Sequence, residues 1–92
     1  MTVKVRIPTM LREYAGGSTL VAADGATGRE ILADLEARYP ALGRRVTDEQ
    51  GSIRRHVHVF VGEDRMVDLG APVPDGAEIT IMAAVSGGSD GT

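Results

Sequence analysis

Residues 75–88, DGAEITIMAAVSGG, run from a turn signal through an alternating segment into a pair of glycines. Asp75-Gly76 follows Pro74 and punctuates the chain, after which Ile79 and Ile81 alternate with Thr80 and Met82. That period of two predicts a final strand over 78–84 with one buried and one wet face. Beyond it, Val85-Ser86-Gly87-Gly88 continues with small side chains. Two successive positions without Cβ let such a segment thread a narrow cleft and present a carboxylate without steric shielding. Composition alone reads residues 85–92 as a frayed, mobile terminus. Their position directly after the last strand gives the glycines a second meaning.

Upstream, His56-Val57-His58-Val59-Phe60-Val61 alternates in the same way and predicts a central strand over 57–61. Gly62-Glu63-Asp64-Arg65 then reads as a turn into a short strand over 66–67. At the other end, Val3, Val5 and Ile7 alternate with Lys4 and Arg6 to predict a first strand that Pro8 ends. Gly16-Gly17 turns the chain into a weaker strand over 18–23, so the first two strands form a hairpin with a long loop. After Asp24-Gly25, Thr27 and Glu30 form a capping box, in which each side chain can satisfy a backbone N–H at a helix start. Ile31, Leu32, Leu35 and Tyr39 share one helical stripe and Pro40 forbids continuation, which places the helix over 28–39. Residues 41–55 lack periodicity and read as an irregular crossover. The resulting α+β domain, a mixed sheet of four to five strands with one main helix packed on one face, occupies residues 1–85. Residues 86–92 are expected to form a flexible C-terminal tail.

At 92 residues, 42% of them hydrophobic, the chain can build one small core. A deep private cavity would consume that core, which disfavours small-molecule catalysis inside it. Ten Lys and Arg against thirteen Asp and Glu leave a net charge of −3 and no general attraction for nucleic acid. The charge is uneven: residues 1–55 hold nine basic and seven acidic side chains, residues 56–92 one basic and six acidic. An acidic end of this kind can steer a basic partner surface, or simply solvate loops. The absence of cysteine excludes disulfides, thiolate nucleophiles and Cys-based metal sites, and makes the cytosol the default compartment. Charged residues interrupt the N-terminus where a signal peptide needs an apolar core, and no stretch reaches membrane-spanning length. A cytoplasmic chain without membrane association is expected.

Catalytic constellations are missing: no Ser with a sequence-marked base, no phosphate-binding glycine loop, no HExxH. His56 and His58 project from one strand face, but no third ligand is marked, so they read as exposed sheet residues and no metal is expected. Asp48-Glu49 and Glu63-Asp64 fall in predicted turns, where solvation is their expected role. Alternation turns Val3, Val5, Ile7, Val57, Val59, Val61, Ile79 and Ile81 toward the helix. The open face then shows Lys4, Arg6, His58, Phe60, Thr80 and Met82. Phe60 and Met82, with Pro8, make an apolar spot near the tail's exit. The single Phe of the chain on a wet face is costly unless something covers it, which points to a docking patch, a loop or dimer contact being the other cover.

Taken in order, VKVRIPTML (3–11), ILADLEARYP (31–40), VHVFVGE (57–63), DGAEITI (75–81) and AVSGG (84–88) resemble the ubiquitin-like sulfur carriers of the MoaD/ThiS family, which have the β-grasp fold. The opening and closing segments look most like the carrier of the actinobacterial thiocarboxylate-dependent cysteine pathway. The resemblance implies that Gly88 is the acyl position, adenylated by an ATP-dependent activating enzyme of the ubiquitin-activating type with sulfurtransferase, and converted to a thiocarboxylate. Val85, Ser86 and Gly87 would be the extended segment that partners recognise. In the cysteine pathway the acceptor is a pyridoxal-phosphate cysteine synthase, and a JAMM-type zinc metalloprotease releases the product. The chain itself would be a protein cosubstrate, with no cofactor and no catalytic residue of its own. Carriers of this family normally end at Gly-Gly, whereas Ser89, Asp90, Gly91 and Thr92 follow here and make Gly88 an internal amide. Some relatives in secondary-metabolite pathways lose short extensions to JAMM-type proteases, so cleavage after Gly88 is expected; otherwise the extension blocks activation or is an engineered addition. A natural-product sulfur pathway and the small subunit of molybdopterin synthase are alternatives within the class. Outside it stand a ubiquitin-like protein modifier conjugated through Gly88 and a plain interaction module.

Overall fold

Along β1 (Thr2–Arg6), Val3 and Val5 point inward and Thr2, Lys4 and Arg6 outward, as the alternation requires. The computed structural model describes residues 2–83. Past β1 the Ile7 N–H still donates to the Thr19 carbonyl at 2.8 Å. Pro8, with no N–H to offer, then turns the chain into a 3-10 helix, Thr9–Ala15. The long hairpin loop expected there is thus ordered: it buries Leu11 and Ala15 and ends on Gly16 at φ +66°, a left-handed conformation natural to glycine. β2 (Leu20–Asp24) starts two residues later than expected, because its antiparallel register with β1 begins at Arg6↔Leu20, where β1 ends.

α1 (Gly28–Arg38) opens on the capping box. Thr27 Oγ1 accepts from the Glu30 N–H at 3.3 Å, and the Glu30 carboxylate accepts from the Ala26 N–H at 2.8 Å, one residue further back than the usual partner. Ile31, Leu32 and Leu35 are buried. Pro40 ends α1 and opens a second helix, α2 (Pro40–Val46), which corrects the irregular crossover expected over 41–55. Proline suits the first helical position, where its missing N–H would have had no intrahelical partner. Leu42 and Val46, four residues apart, then bury on one side. Two turns are too short for that repeat to stand out in a sequence. Gly43 is buried as well: a Cβ there would lie 2.4 Å from the Cβ of Glu36 and 2.6 Å from its Cα, so the missing side chain is what lets α2 pack close on α1.

β3 (Val57–Val61) has the expected bounds but not the expected central place, which the last strand takes because it pairs on both sides. The turn after it consists of Gly62 and Glu63 alone, with Gly62 at φ +60°, so β4 is Asp64–Arg65, paired with Val61 and Phe60, instead of residues 66–67. Met66 turns into the core and Val67 is left 82% exposed. β5 (Glu78–Ala83) completes a five-stranded sheet of order β2-β1-β5-β3-β4, in which β1 and β5 are parallel and the other neighbours antiparallel. The helices share one core with the inner face of the sheet, centred on Val5, Ile7, Ile31, Leu35, Leu42, Val59 and Ile79. This is the β-grasp arrangement that the family resemblance implies, with two α-helices where one main helix is expected.

A polar clasp closes the outer edge. The Thr2 hydroxyl donates to Asp24 at 2.7 Å and the Arg38 guanidinium at 2.8 Å, while Asp34 accepts from both the Asp24 N–H and Arg38 Nε, each at 2.8 Å. Led by the Thr2 hydrogen bond and helped by Arg38, these contacts outweigh some desolvation and hold the Asp24 carboxyl below the usual carboxylate range. β1, β2 and the end of α1 are thereby joined on the exposed rim.

Candidate functional site

The strand that carries the tail is the central one. β5 is paired with β1 over Glu78–Thr80 and with β3 over Ile79–Ala83, so the part nearest the tail is held by β3. Ala83, opposite Val57, is the last described residue of β5. Gly88 follows five residues later, up to ~17 Å away along an extended chain. The expected acyl position Gly88, the recognition segment Val85, Ser86 and Gly87, and the extension Ser89, Asp90, Gly91 and Thr92 lie outside the described residues, as does the expectation of a mobile tail.

What the structure defines is the platform from which they emerge. On the open sheet face, Leu20, Arg6, Thr80, Phe60 and Arg65 form one row of paired positions from β2 to β4. One step nearer the tail, Met82 on β5 faces His58 on β3. Pro8 lies two residues beyond Arg6, past the end of β1 and of its pairing with β5, and is partly buried. Phe60 and Met82 thus lie on one face of neighbouring strands, while the register that would tie the expected third member, Pro8, to them stops short of it. Met82 is 53% exposed, but Phe60 is half-buried, which corrects the picture of a bare aromatic on a wet surface: it sits in mid-row with Thr80 on one side and Arg65 on the other.

Two neighbours enlarge the patch beyond the residues picked out from the sequence. Leu20, 41% exposed, extends the row onto β2; it could be found only from the register, since its strand is weakly marked. His58 lies directly across from Met82, and its Nδ1 is shielded from solvent with no hydrogen-bond partner among the described residues. Beside this patch, Arg6 Nε donates to Glu78 at 3.1 Å. Both side chains of that ion pair are about half exposed, so it orients Arg6 more than it stabilises the fold.

His56 has different surroundings from His58. It precedes β3 and lines a cleft with Arg44, Arg45 and Arg54, next to Ala83. Among the described residues no group of three His, Asp or Glu side chains could hold a metal ion, and no helix is long and apolar enough to cross a membrane.

Known proteins share this architecture and sequence. The chain is 37% identical over 93 residues to a protein of Mycobacterium tuberculosis named sulfur carrier protein CysO, covering 96% of this chain and all of that one. A crystal structure of the Amycolatopsis orientalis BexX/CysO complex contains a chain that is 39% identical, with a TM-score of 0.83 over 92% of this chain and 98% of that one. SAMP1 of Haloferax volcanii superposes with a TM-score of 0.82 at 29% identity, over 95% and 99% of the two chains. The sequence profile of the ThiS family matches residues 5–88, nearly the whole chain and up to the second glycine of the pair. With its β-grasp fold and this match, the chain belongs to the ThiS family.

Proposed function

We propose that this chain is a sulfur carrier. Removal of residues 89–92 exposes the Gly88 carboxylate, an ATP-dependent activating enzyme adenylates it, and a sulfide-equivalent donor displaces AMP to leave a thiocarboxylate. The observation that carries this reading is a family match running through residue 88 on a domain whose central strand precedes the glycine pair in the sequence. The chemistry suits the residues. A carboxylate is a poor electrophile, and AMP turns one of its oxygens into a leaving group. The thiocarboxylate then supplies a soft nucleophilic sulfur to a protein with no cysteine. Gly87 and Gly88 admit the reacting atoms to a narrow site, and Pro8, Phe60 and Met82 dock the partner.

In this reading the chain is a cosubstrate and its partners hold the cofactors: ATP on the activating enzyme, pyridoxal phosphate on an acceptor synthase of cysteine or a natural product, and zinc on the JAMM-type protease that trims the extension. Likeness to a carrier named CysO favours cysteine as the product. The deciding experiment is the intact mass of the untagged protein from its own host, before and after treatment with a thiol-reactive alkylating reagent. A chain ending at Gly88 with one oxygen replaced by sulfur, taking one alkyl group, is expected. A chain that keeps Thr92 and never alkylates under sulfur-demanding growth would end the proposal.

A second reading, a protein modifier joined through Gly88 to lysines of other proteins, is favoured by 29% identity to a protein named small archaeal modifier protein 3. Lys4, the only lysine found in 92 residues, is exposed on β1 and would be the one site for self-built chains. Isopeptide-linked Gly88 in digests of host proteins is the observation that separates the two.

A further inference from the structure

The tail leaves the domain beside a cationic cleft. Ala83 borders a cavity of about 590 Å³ lined by apolar groups such as Leu11, Tyr14 and Val57 and by Arg44, Arg45, Arg54 and His56. Two of the arginine side chains are held by groups that leave their charge intact. Arg45 stacks over the Tyr14 ring, 4.1 Å from its centroid, and Arg54 Nε donates to the Arg44 carbonyl at 2.7 Å. Glu36, Asp48 and Glu49 share a neighbouring groove with Arg44 and Arg54, yet the ion pairs among the described residues are Arg6–Glu78, Arg38–Asp24 and Arg38–Asp34. Four cationic or protonatable groups therefore converge at the tail root, and among the described residues none of them is ion-paired with a carboxylate.

We propose that this cleft docks a short acidic segment of the enzyme that acts on the tail, with carboxylates flanking an apolar side chain; the proposal rests on the sulfur-carrier reading above. Position is the first reason. A protein that engages Gly88, no more than ~17 Å beyond Ala83, comes within reach of the root from which the tail starts. Chemistry is the second. Arginine forks suit carboxylates, and the apolar part of the lining suits an aliphatic side chain between them. A nucleic acid fits less well: residues 56–92 carry one basic and six acidic side chains, which repel a long polyanion, and Arg45 already occupies a face of the Tyr14 ring that base stacking would need. The C-terminal segment of the chain is acidic, but the place where it departs is basic, because α2 and the residues before β3 bring their arginines there.

The test uses the full chain, isotope-labelled for amide NMR, titrated with the blocked peptide Glu-Leu-Asp-Glu-Leu, its uncharged counterpart Gln-Leu-Asn-Gln-Leu, and an octathymidine oligonucleotide. The acidic peptide should move the amides of Arg44, Arg45, His56 and Ala83 and bind about tenfold more tightly than the uncharged one. That preference should vanish in the Arg44→Glu/Arg45→Glu variant and in about 0.5 M salt. Equal binding of the two peptides, an unaffected variant with unchanged sheet resonances, or tighter binding of the oligonucleotide would overturn the proposal. In ATP–pyrophosphate exchange by the host's activating enzyme, with the chain ended at Gly88, the same variant should raise KM for the carrier about tenfold at constant kcat. An unchanged KM overturns the proposal. If the parent chain supports no exchange at all, it is the sulfur-carrier reading that fails, and the peptide titration still decides the cleft.

Discussion

Gly43→Ala sets two effects of known sign against each other. In an exposed helix interior, alanine stabilises over glycine by about 1 kcal/mol. In α2, however, the new Cβ would lie 2.4 Å from the Cβ of Glu36 and 2.6 Å from its Cα, against ~3.5–4.0 Å for an unstrained carbon contact. Neither atom can rotate away, because both are fixed to the backbone of α1. The two helices must part by roughly 1 Å, and the buried Leu35 and Leu42 go with them. Overpacking of this kind costs about 1–3 kcal/mol, and a clash with backbone belongs at the upper end. Subtracting the propensity gain leaves a net loss of about 1–2 kcal/mol. For a domain of this size that lowers Tm by about 5–15 °C. Thermal unfolding followed by circular dichroism, together with urea midpoints, measures it. A variant as stable as the parent or more stable would refute the close approach of α1 and α2 at this glycine.

Three further outcomes are expected. Thr27→Ala removes the side-chain acceptor for the Glu30 N–H and should cost about 1 kcal/mol in urea unfolding, whereas Thr27→Ser should keep most of it. Asp24 has its carboxyl pKa depressed in the folded state, so its contribution is present above the unfolded value of about 3.9 and is lost as the pH falls through the lower folded value. Asp24→Asn should therefore be less stable than the parent at neutral pH, with the gap closing below about pH 4; a gap that stays constant from neutral to acid pH would contradict the clasp. Met82→Asp places a charge on the open face without touching the core and should raise KM for the activating enzyme about tenfold or more, with Tm almost unchanged. An unaltered KM would remove Met82 from the docking patch.

Where a repeat is long or a turn is chemically marked, the sequence alone was enough. Val3, Val5, Ile79 and Ile81 alternate because half of each strand must face the core, and their burial follows that pattern. Thr27 and Glu30 mark the start of α1 because the first N–H groups of any helix lack partners. The glycine pair after the last strand was likewise visible in the chain, and it points to the family that the profile and the solved relatives share. Short or contingent elements were not legible. Pro40 signals the end of one helix and the start of another with the same residue, and only the packing of Leu42, Gly43 and Val46 shows that α2 exists. The short strand fell at Asp64–Arg65 because the hairpin closes in two residues, a choice made by the register of β3.

The surfaces belong to the tertiary structure for a similar reason. Periodicity assigns Phe60 and Met82 to one face, but their exposure, and the addition of Leu20, depend on which strands lie side by side. The basic cleft combines Tyr14, Arg44, Arg45, Arg54 and His56 from separate parts of the chain around Ala83. Periodicity and capping are local and can be read residue by residue; a charge cluster assembled across a fold is set by long-range packing, which no single segment encodes.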